Sequence, residues 1–407
     1  MNDTRTALVI GGGIAGPVAA MALQKAGVQA TVYEAYRAAA DGIGGGLSIA
    51  PNGQNALDVL GAGHVVTRIG VPVTSMAMQN AYGRTLAKFP TSPPGLPAMQ
   101  FVWRGELYRG LADEAAARGI HVEHGKRLVA IDDTADGVTA HFADGTHATA
   151  DILVGADGIR STTRSLIDPL APKPRYTKLI SFGGRVDDMG ISSTDGTMVF
   201  IFGRRAFFGY QVNDDRSGGW FVNLPSDEPL TKAQCDEIPA DTWLARLRDT
   251  FAKDAGPALG ILRRTRPEDL LVVGAMEDIP TVPTWHAGRV VLIGDAAHPT
   301  SPSSGQGASL AVESAVQLAR CLRDLPHDLA FDAYESLRRA RAEKVIAMAA
   351  RTNSDKAAGP VARVVRDVAM LAMTKFVKPE KMAARFEWQF TYRIDWDAPV
   401  TPNLVAA

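Results

Sequence analysis

A glycine-rich turn between a short apolar run and a helix constrains this chain more than any other feature. Residues 7–10 are a run of four apolar side chains that reads as a buried strand, and residues 17–26 read as a helix with Pro17 in its first turn. Between them stands Gly11-Gly12-Gly13-Ile14-Ala15-Gly16, which contains G-x-G-x-x-G in the strand-turn-helix setting that gives the pattern physical meaning. Gly11 permits the tight turn, Gly13 lets the backbone approach a pyrophosphate, and Gly16 lets helix and strand pack closely. Ile14 and Ala15 open the helix, whose free backbone N–H groups favour phosphate charge. A second strand, residues 31–34, ends in Glu34, which follows Gly11 by 23 positions and can accept hydrogen bonds from ribose hydroxyls. These residues predict a bound dinucleotide and leave NAD, NADP and FAD open; a Gly-rich loop with an ordinary surface Glu is the bland alternative.

Two further apolar runs end in the same way. Residues 152–156 lead to Asp157-Gly158, and residues 290–294 lead to Asp295-Ala296-Ala297-His298-Pro299. Ligands of open parallel sheets lie outside the carboxyl ends of the strands, so both acids point toward the crevice of the glycine turn. Each alone could equally cap a helix. After Asp295, a loop through Gly305, Gln306 and Gly307 opens a long helix from Ala308, whose N-terminus suits a ring system that becomes anionic on reduction, a flavin rather than a nicotinamide. Arg104, with Leu107 and Leu111 on one helical face behind it, could pair with a cofactor pyrophosphate. Arg37, just past Glu34, reads the same way, and a solvated surface arginine is the alternative for both.

The remaining chain divides by pattern. Residues 71–101 and 176–282 alternate apolar and polar side chains between Gly-containing turns, as antiparallel strands do. Residues 308–325, 330–350 and 361–377 carry helical periodicity. In the tail, Phe386, Trp388, Phe390, Tyr392, Ile394 and Trp396 fall on alternate positions, which suits an extended segment over an apolar surface or, through i,i+4 pairs, a helix. The expected organisation is a discontinuous nucleotide domain (residues 1–70, 102–175 and 283–330), a β-sheet substrate domain (71–101 and 176–282), and a helical region with tail (331–407). With 407 residues, one ordinary domain is too small a container. Forty-three basic against 44 acidic side chains leave no footprint for nucleic acid. Two isolated cysteines, Cys235 and Cys321, make neither a disulfide framework nor a metal site, and no apolar run is long enough for a membrane span. A cytoplasmic protein is the default expectation, because no signal-peptide core precedes the glycines.

In order along nearly the whole chain, Gly11 to Gly16 with Glu34, Arg104 with Leu107 and Leu111, Gly155-Ala156-Asp157-Gly158 with Ser161 and Arg164, and Gly294-Asp295 through His298-Pro299 with Gly305-Gln306-Gly307 resemble the group A FAD-dependent aromatic monooxygenases, built on the p-hydroxybenzoate hydroxylase fold. The resemblance implies an α/β fold: an FAD/NAD(P)-binding Rossmann-like domain, an inserted mainly antiparallel β substrate domain, and C-terminal helices. It implies that Gly11, Gly13, Gly16 and Glu34 hold the ADP part of FAD and that Arg104 approaches the pyrophosphate. Asp295 would bond the ribityl chain, Gly305, Gly307 and Ala308 would flank the isoalloxazine, and the Asp157 segment would serve both FAD and NAD(P)H. The loop from Gly44 to Ser48 is similar to the family segment beside the flavin. Ala308-Ser309 stand where many relatives carry an Asn, and a C-terminal thioredoxin-like extension is not expected.

The implied chemistry is hydride transfer from NAD(P)H to FAD, formation of a flavin hydroperoxide with dioxygen, and hydroxylation of an aromatic or polycyclic small molecule. The cofactor carries the hard step and the protein excludes water. Phe202, Tyr210 and Phe221 are the candidate substrate-lining residues, in a stretch that also holds Phe200, Phe207, Phe208 and Trp220. No catalytic base and no metal ligand declares itself, and His298 reads as structural. A FAD-dependent oxidase or reductase, a monooxygenase inserting oxygen beside a ketone, and a flavin-binding partner without turnover share the same motifs. The chain is expected as a monomer or homodimer.

Overall fold

Four short aliphatic strands pair in parallel because each is buried on both faces, as expected of strands covered by helices or a second sheet. In the computed structural model, which describes residues 4–37, 45–356, 359–376 and 387–401, Thr6–Ile10 lies between Gln29–Glu34 and Ile152–Gly155. Val290–Leu292 continues the sheet beyond Ile152–Gly155, and His121–His124 extends the other edge. A short antiparallel strand, His286–Ala287, closes the order of six. The register matches Ile10 with Gly155 and Gly155 with Leu292. Gly11, Asp157 and Asp295 therefore leave the sheet along one edge, which is how three motifs remote in sequence come together.

The period-2 alternation of the strands divides the two faces of this sheet. Ala7, Val9, Val32 and Val154 face the helices Ala15–Lys25, Arg104–Ala117 and Gly307–Asp324. Leu8, Ile10, Tyr33 and Leu153 face a three-stranded antiparallel sheet, Leu128–Asp133, Val138–Phe142 and His147–Ala150, where Tyr33 stacks on Phe142 at 4.9 Å. Gly16 packs against the first strand so closely that a Cβ would sit 1.8 Å from the Gly11 carbonyl oxygen, and Gly11 itself has φ of +110°. Both positions exclude a side chain for reasons internal to the fold.

A seven-stranded sheet forms the second layer, in the order Leu270–Asp278, Arg175–Val186, Gly218–Pro225, Phe207–Val212, Thr197–Phe202, Ser75–Asn80, Thr85–Pro90. Its pairings are antiparallel except between Thr197–Phe202 and Ser75–Asn80, which run parallel. Gly46–Ile49, Met99–Trp103 and Val71–Val73 make a small separate sheet between the two large ones. Strand character does not extend through all of residues 176–282. Ala240–Phe251 and Ala258–Arg264 are helices, and Trp243, Leu244, Leu247 and Phe251 cover one face of the seven-stranded sheet.

The C-terminal part is helical: Gly307–Asp324, His327–Lys356 and Pro360–Phe376. The aromatic tail is neither a strand nor a long helix. Residues 387–390 make one helical turn, and the chain then runs irregularly with Tyr392, Ile394 and Trp396 against the core of the parallel-sheet layer; Phe386 lies outside the described residues. Arg341 donates to the carbonyls of Trp388 and Gln389 at 2.9 and 2.7 Å, which anchors this turn on the long helix. Among the described residues, no helix is long and apolar enough to cross a membrane.

Candidate active site

The carboxyl edge of the parallel sheet and the open face of the seven-stranded sheet enclose one continuous cavity of about 1230 Å³. Its two ends differ in chemistry. One end is lined by Gly11, Gly12, Gly13, Ile14, Ala15, Glu34 and Arg104, and the other by Met198, Phe200, Phe202, Phe207 and Phe221. Asp157, Asp295, Gly305, Gly307 and Ala308 lie along the wall that joins them.

At the polar end, Glu34 accepts the Gly12 N–H at 2.6 Å and the Tyr36 N–H at 2.8 Å. Two carboxylate oxygens provide about four acceptor sites, so capacity remains for ligand hydroxyls. The helix Ala15–Lys25 starts at Ile14 with no side-chain cap and no acidic residue in its first turn. The helix Gly307–Asp324 starts at Gln306 in the same uncapped state. Two helix N-termini without competing side chains thus border the same space. A Cβ built on Gly13 would meet nothing of the chain closer than Tyr108, at 3.7 Å. The fold thus has space for a Cβ there, and an occupant of the cavity would compete for that space. Tyr108, which the sequence reading did not single out, accepts the Nε–H of Arg104 at 2.7 Å.

Asp157 is committed locally. Its carboxylate accepts the backbone N–H and the hydroxyl of Thr163 at 2.9 and 3.0 Å and the hydroxyl of Ser161 at 2.5 Å, while Ser161 itself caps the helix Thr162–Ile167 by accepting the Arg164 N–H at 2.8 Å. Its side chain is thus engaged with the start of this helix, and the residue also lines the cavity. Arg164, buried and adjacent, donates to the Ala296 carbonyl at 3.0 Å and ties the second strand end to the third. Asp295 is itself part-buried. Loss of water raises its carboxyl above the ordinary range, while the charges of Arg104 and Arg164 oppose that rise. Gly305 adopts φ of +61° and ends the turn Pro302–Ser304 ahead of the long helix. Ser309 faces away from the cavity and accepts the Ala50 N–H at 3.1 Å.

Arg37 is exposed and stands outside the residues that line the cavity, next to the turn at residues 124–126. One substrate-lining assignment fails. Tyr210 points to the opposite face of its strand, into the core beneath Phe251 with Phe208 and Trp220. The cause is strand parity: Val199 pairs with Tyr210 and Phe202 with Phe207, so odd and even positions part company. Phe202 and Phe221 do face the cavity, joined by Phe200 and Phe207, with Phe207 5.1 Å from Phe202 and 5.9 Å from Phe221. Gly209 leaves the space that the Phe221 ring fills, since a Cβ there would lie 2.2 Å from it. His298 is buried and bonded to Ser314 at 2.8 Å; burial, then the nearby charge of Arg338, pushes its imidazole down to about 3, so it stays neutral and structural. Of the early loop from Gly44 to Ser48, Gly44 lies outside the described residues, while Gly45 to Ser48 line the cavity.

Comparison with known proteins agrees with this architecture. The family model described as an FAD binding domain matches residues 4–209 and 276–349. An FAD-dependent urate hydroxylase from Klebsiella pneumoniae is 32% identical over 324 residues, covering 78% of this chain and 81% of that protein. Aurachin C monooxygenase/isomerase from Stigmatella aurantiaca is 32% identical over 358 residues, covering 85% and 88%. The crystal structure of Klebsiella pneumoniae HpxO complexed with FAD and uric acid shares the fold with a TM-score of 0.80 at 25% identity, over 94% of this chain and 97% of that one. A family match spanning both segments of the parallel-sheet layer, together with relatives at 32% identity over more than three quarters of the sequence, makes this chain a member of the group A FAD-dependent monooxygenases.

Proposed function

We propose that this enzyme hydroxylates an aromatic small molecule, with NAD(P)H and dioxygen as co-substrates and FAD held in the polar arm of the cavity. The observation that carries this reading is the continuity of one space from a glycine-lined trough to an aromatic chamber. When bound, FAD supplies the electron transfer and the activation of dioxygen.

The chain's own residues fit that cofactor. Gly13 leaves open the volume that a pyrophosphate needs, and the uncapped helix start at Ile14 and Ala15 offers backbone donors to it. Glu34 has acceptor capacity for ribose hydroxyls, and Arg104, held by Tyr108, brings positive charge to the phosphates. Asp295 would accept from the ribityl hydroxyls. Gly305, Gly307 and Ala308 would border the ring, with the helix dipole favouring negative charge there. Phe200, Phe202, Phe207 and Phe221 would exclude water and hold a flat substrate by ring contacts, which strengthens every polar interaction inside.

The test is the visible spectrum of the purified protein, followed by NADPH or NADH addition under air with a panel of hydroxylated aromatics, heteroaromatics and polycyclics. The expected result is a flavin spectrum that bleaches faster with one class of compound, with a product heavier by one oxygen atom. A protein that cannot be loaded with FAD, or reduced-nicotinamide oxidation that yields no oxygenated product with any class, would sink the reading.

A further inference from the structure

The aromatic chamber contains a cation that a purely apolar ring would leave without a partner. Lys356 ends the helix His327–Lys356 and reaches into the chamber, where its Nζ donates to Asn223 Oδ1 at 2.8 Å and to Ser303 Oγ at 2.9 Å. The same nitrogen lies 4.3 Å from the centroid of the Phe207 ring and 5.9 Å from that of Phe221. Both acceptors are neutral. Among the described residues no carboxylate pairs with this nitrogen, whose only resolved perturbation is loss of water.

Among the described residues, the surroundings offer no counter-ion. On the sheet face the polar groups are Asn223 and Ser181, which bond each other at 3.3 Å, and on the turn Pro302–Ser304 the group is Ser303, all uncharged. On the following helix, Arg363 and Arg366 are cations; Arg366 is matched by Asp367 at 2.8 Å and lies over Phe202. Arg204 and Arg205, on the turn between Phe202 and Phe207, are matched by Asp254 and Asp249. Asp355, next in sequence, has its carboxyl raised by burial and faces Arg366. An ammonium has three donor hydrogens and two are in use. The third, and the uncompensated charge, are available to whatever enters the chamber.

We propose that Lys356 determines substrate specificity by selecting aromatic compounds that carry an oxyanion, either an ionised ring hydroxyl or a carboxylate, and binding that oxygen beside Asn223 and Ser303. This rests on the reading of the chamber as the substrate site. A desolvated, unpaired ammonium gains most from a ligand that brings the missing charge. Burial brings the lysine down to about 7, so the free protein loses this preference as pH rises through neutrality.

The test is calorimetric binding to the FAD-loaded protein, with 2-naphthoate against 2-naphthamide for the carboxylate source and 2,4-dinitrophenol against 2,4-dinitroanisole for the hydroxyl source. At pH 6 at least one oxyanion is expected to bind roughly tenfold or more tightly than its neutral partner. Above pH 7 that preference falls by up to about tenfold per unit, because the free amine carries no charge. K356M removes the preference at every pH, and K356R retains it above pH 7. N223D, which supplies an internal carboxylate, removes it while the lysine remains. Wild-type protein that binds neither oxyanion more tightly than its neutral partner, or K356M that keeps the preference, overturns the proposal. FAD content measured in the same samples separates the two readings, since its failure counts against the cofactor assignment and the ligand comparison requires no turnover.

Discussion

Arg338 and Glu313 form an ion pair at 2.6 Å with neither side chain exposed to solvent. The second oxygen of the carboxylate accepts from Arg341 at 2.9 Å and from Asn52 at 2.6 Å. This network joins the helix that opens beside Ala308, the long helix carrying Lys356, and the helix Pro51–Val59. Burial alone would raise the Glu313 carboxyl, but the guanidinium of Arg338, then that of Arg341, hold it below the ordinary range. Glu313→Ala leaves two desolvated cations and should cost about 3–5 kcal/mol. Chemical denaturation checks this, and a loss below 1 kcal/mol would mean that the network does not carry stability.

Acid should unfold the protein earlier than surface carboxylates alone would allow. Burial keeps His298 neutral when folded, with its imidazole down at about 3, whereas an unfolded histidine titrates near 6.5. Its contribution is therefore complete above the unfolded value and is lost as pH falls through that value, by at most about 1.4 kcal/mol per pH unit. Glu313 has the same sign at lower pH, because its folded carboxyl is depressed and protonation removes the pairing. Stability curves of wild type and His298→Gln between pH 7 and 4 should differ in slope, the variant being flatter.

Two glycines of the same turn should fail in different ways. Gly16→Ala drives a Cβ into the Gly11 carbonyl oxygen and should lower stability by about 1–3 kcal/mol, visible as a reduced Tm. A Cβ at Gly13 meets nothing of the chain closer than Tyr108 at 3.7 Å, so Gly13→Val should lower the apoprotein's Tm less than Gly16→Ala does while abolishing FAD retention. Equal FAD content in Gly13→Val and wild type would contradict the cofactor placement.

Asp295→Ala should reduce FAD affinity by about 1–3 kcal/mol, or roughly 5- to 150-fold. Asp295→Asn, which keeps an acceptor oxygen, should lose less. Equilibrium dialysis of FAD against both variants measures the difference, and equal retention of FAD by all three proteins would remove the assignment.

Phe221→Ala and Tyr210→Ala should separate the two faces of one sheet. The first widens the chamber and should raise KM or uncouple oxygen consumption with FAD content unchanged. The second cuts a cavity in the core beneath Phe251 and should cost about 3–5 kcal/mol of stability. If Tyr210→Ala alters substrate selectivity without lowering Tm, the parity assignment is wrong.

The strand-end motifs were legible because each depends on neighbours in sequence. An apolar run, a glycine and an acid specify a turn locally, and the parallel register of Ile10, Gly155 and Leu292 then gathers the turns. The aromatic chamber was less legible. Which face of Phe207–Val212 is the core depends on the helix Ala240–Phe251, and that helix was read as strand although Trp243, Leu244, Leu247 and Phe251 carry a helical spacing. Lys356 left no local signal, since the acceptor that marks its position, Asn223, is 133 residues away. A greater separation, 261 residues, hid the role of Asn52 toward Glu313.

In the Thr197–Phe202, Phe207–Val212 and Gly218–Pro225 strands, chamber wall and structural core alternate residue by residue. Phe200, Phe202, Phe207, Phe221 and Asn223 can therefore change shape or polarity while Val199, Ile201, Phe208, Tyr210, Trp220 and Val222 remain as they are. Divergence of substrate range is thereby separated from the fold's stability at the level of single codons. A lineage of such enzymes can explore new ligands by accumulating substitutions at alternate positions of three strands, without first acquiring compensating mutations in the core.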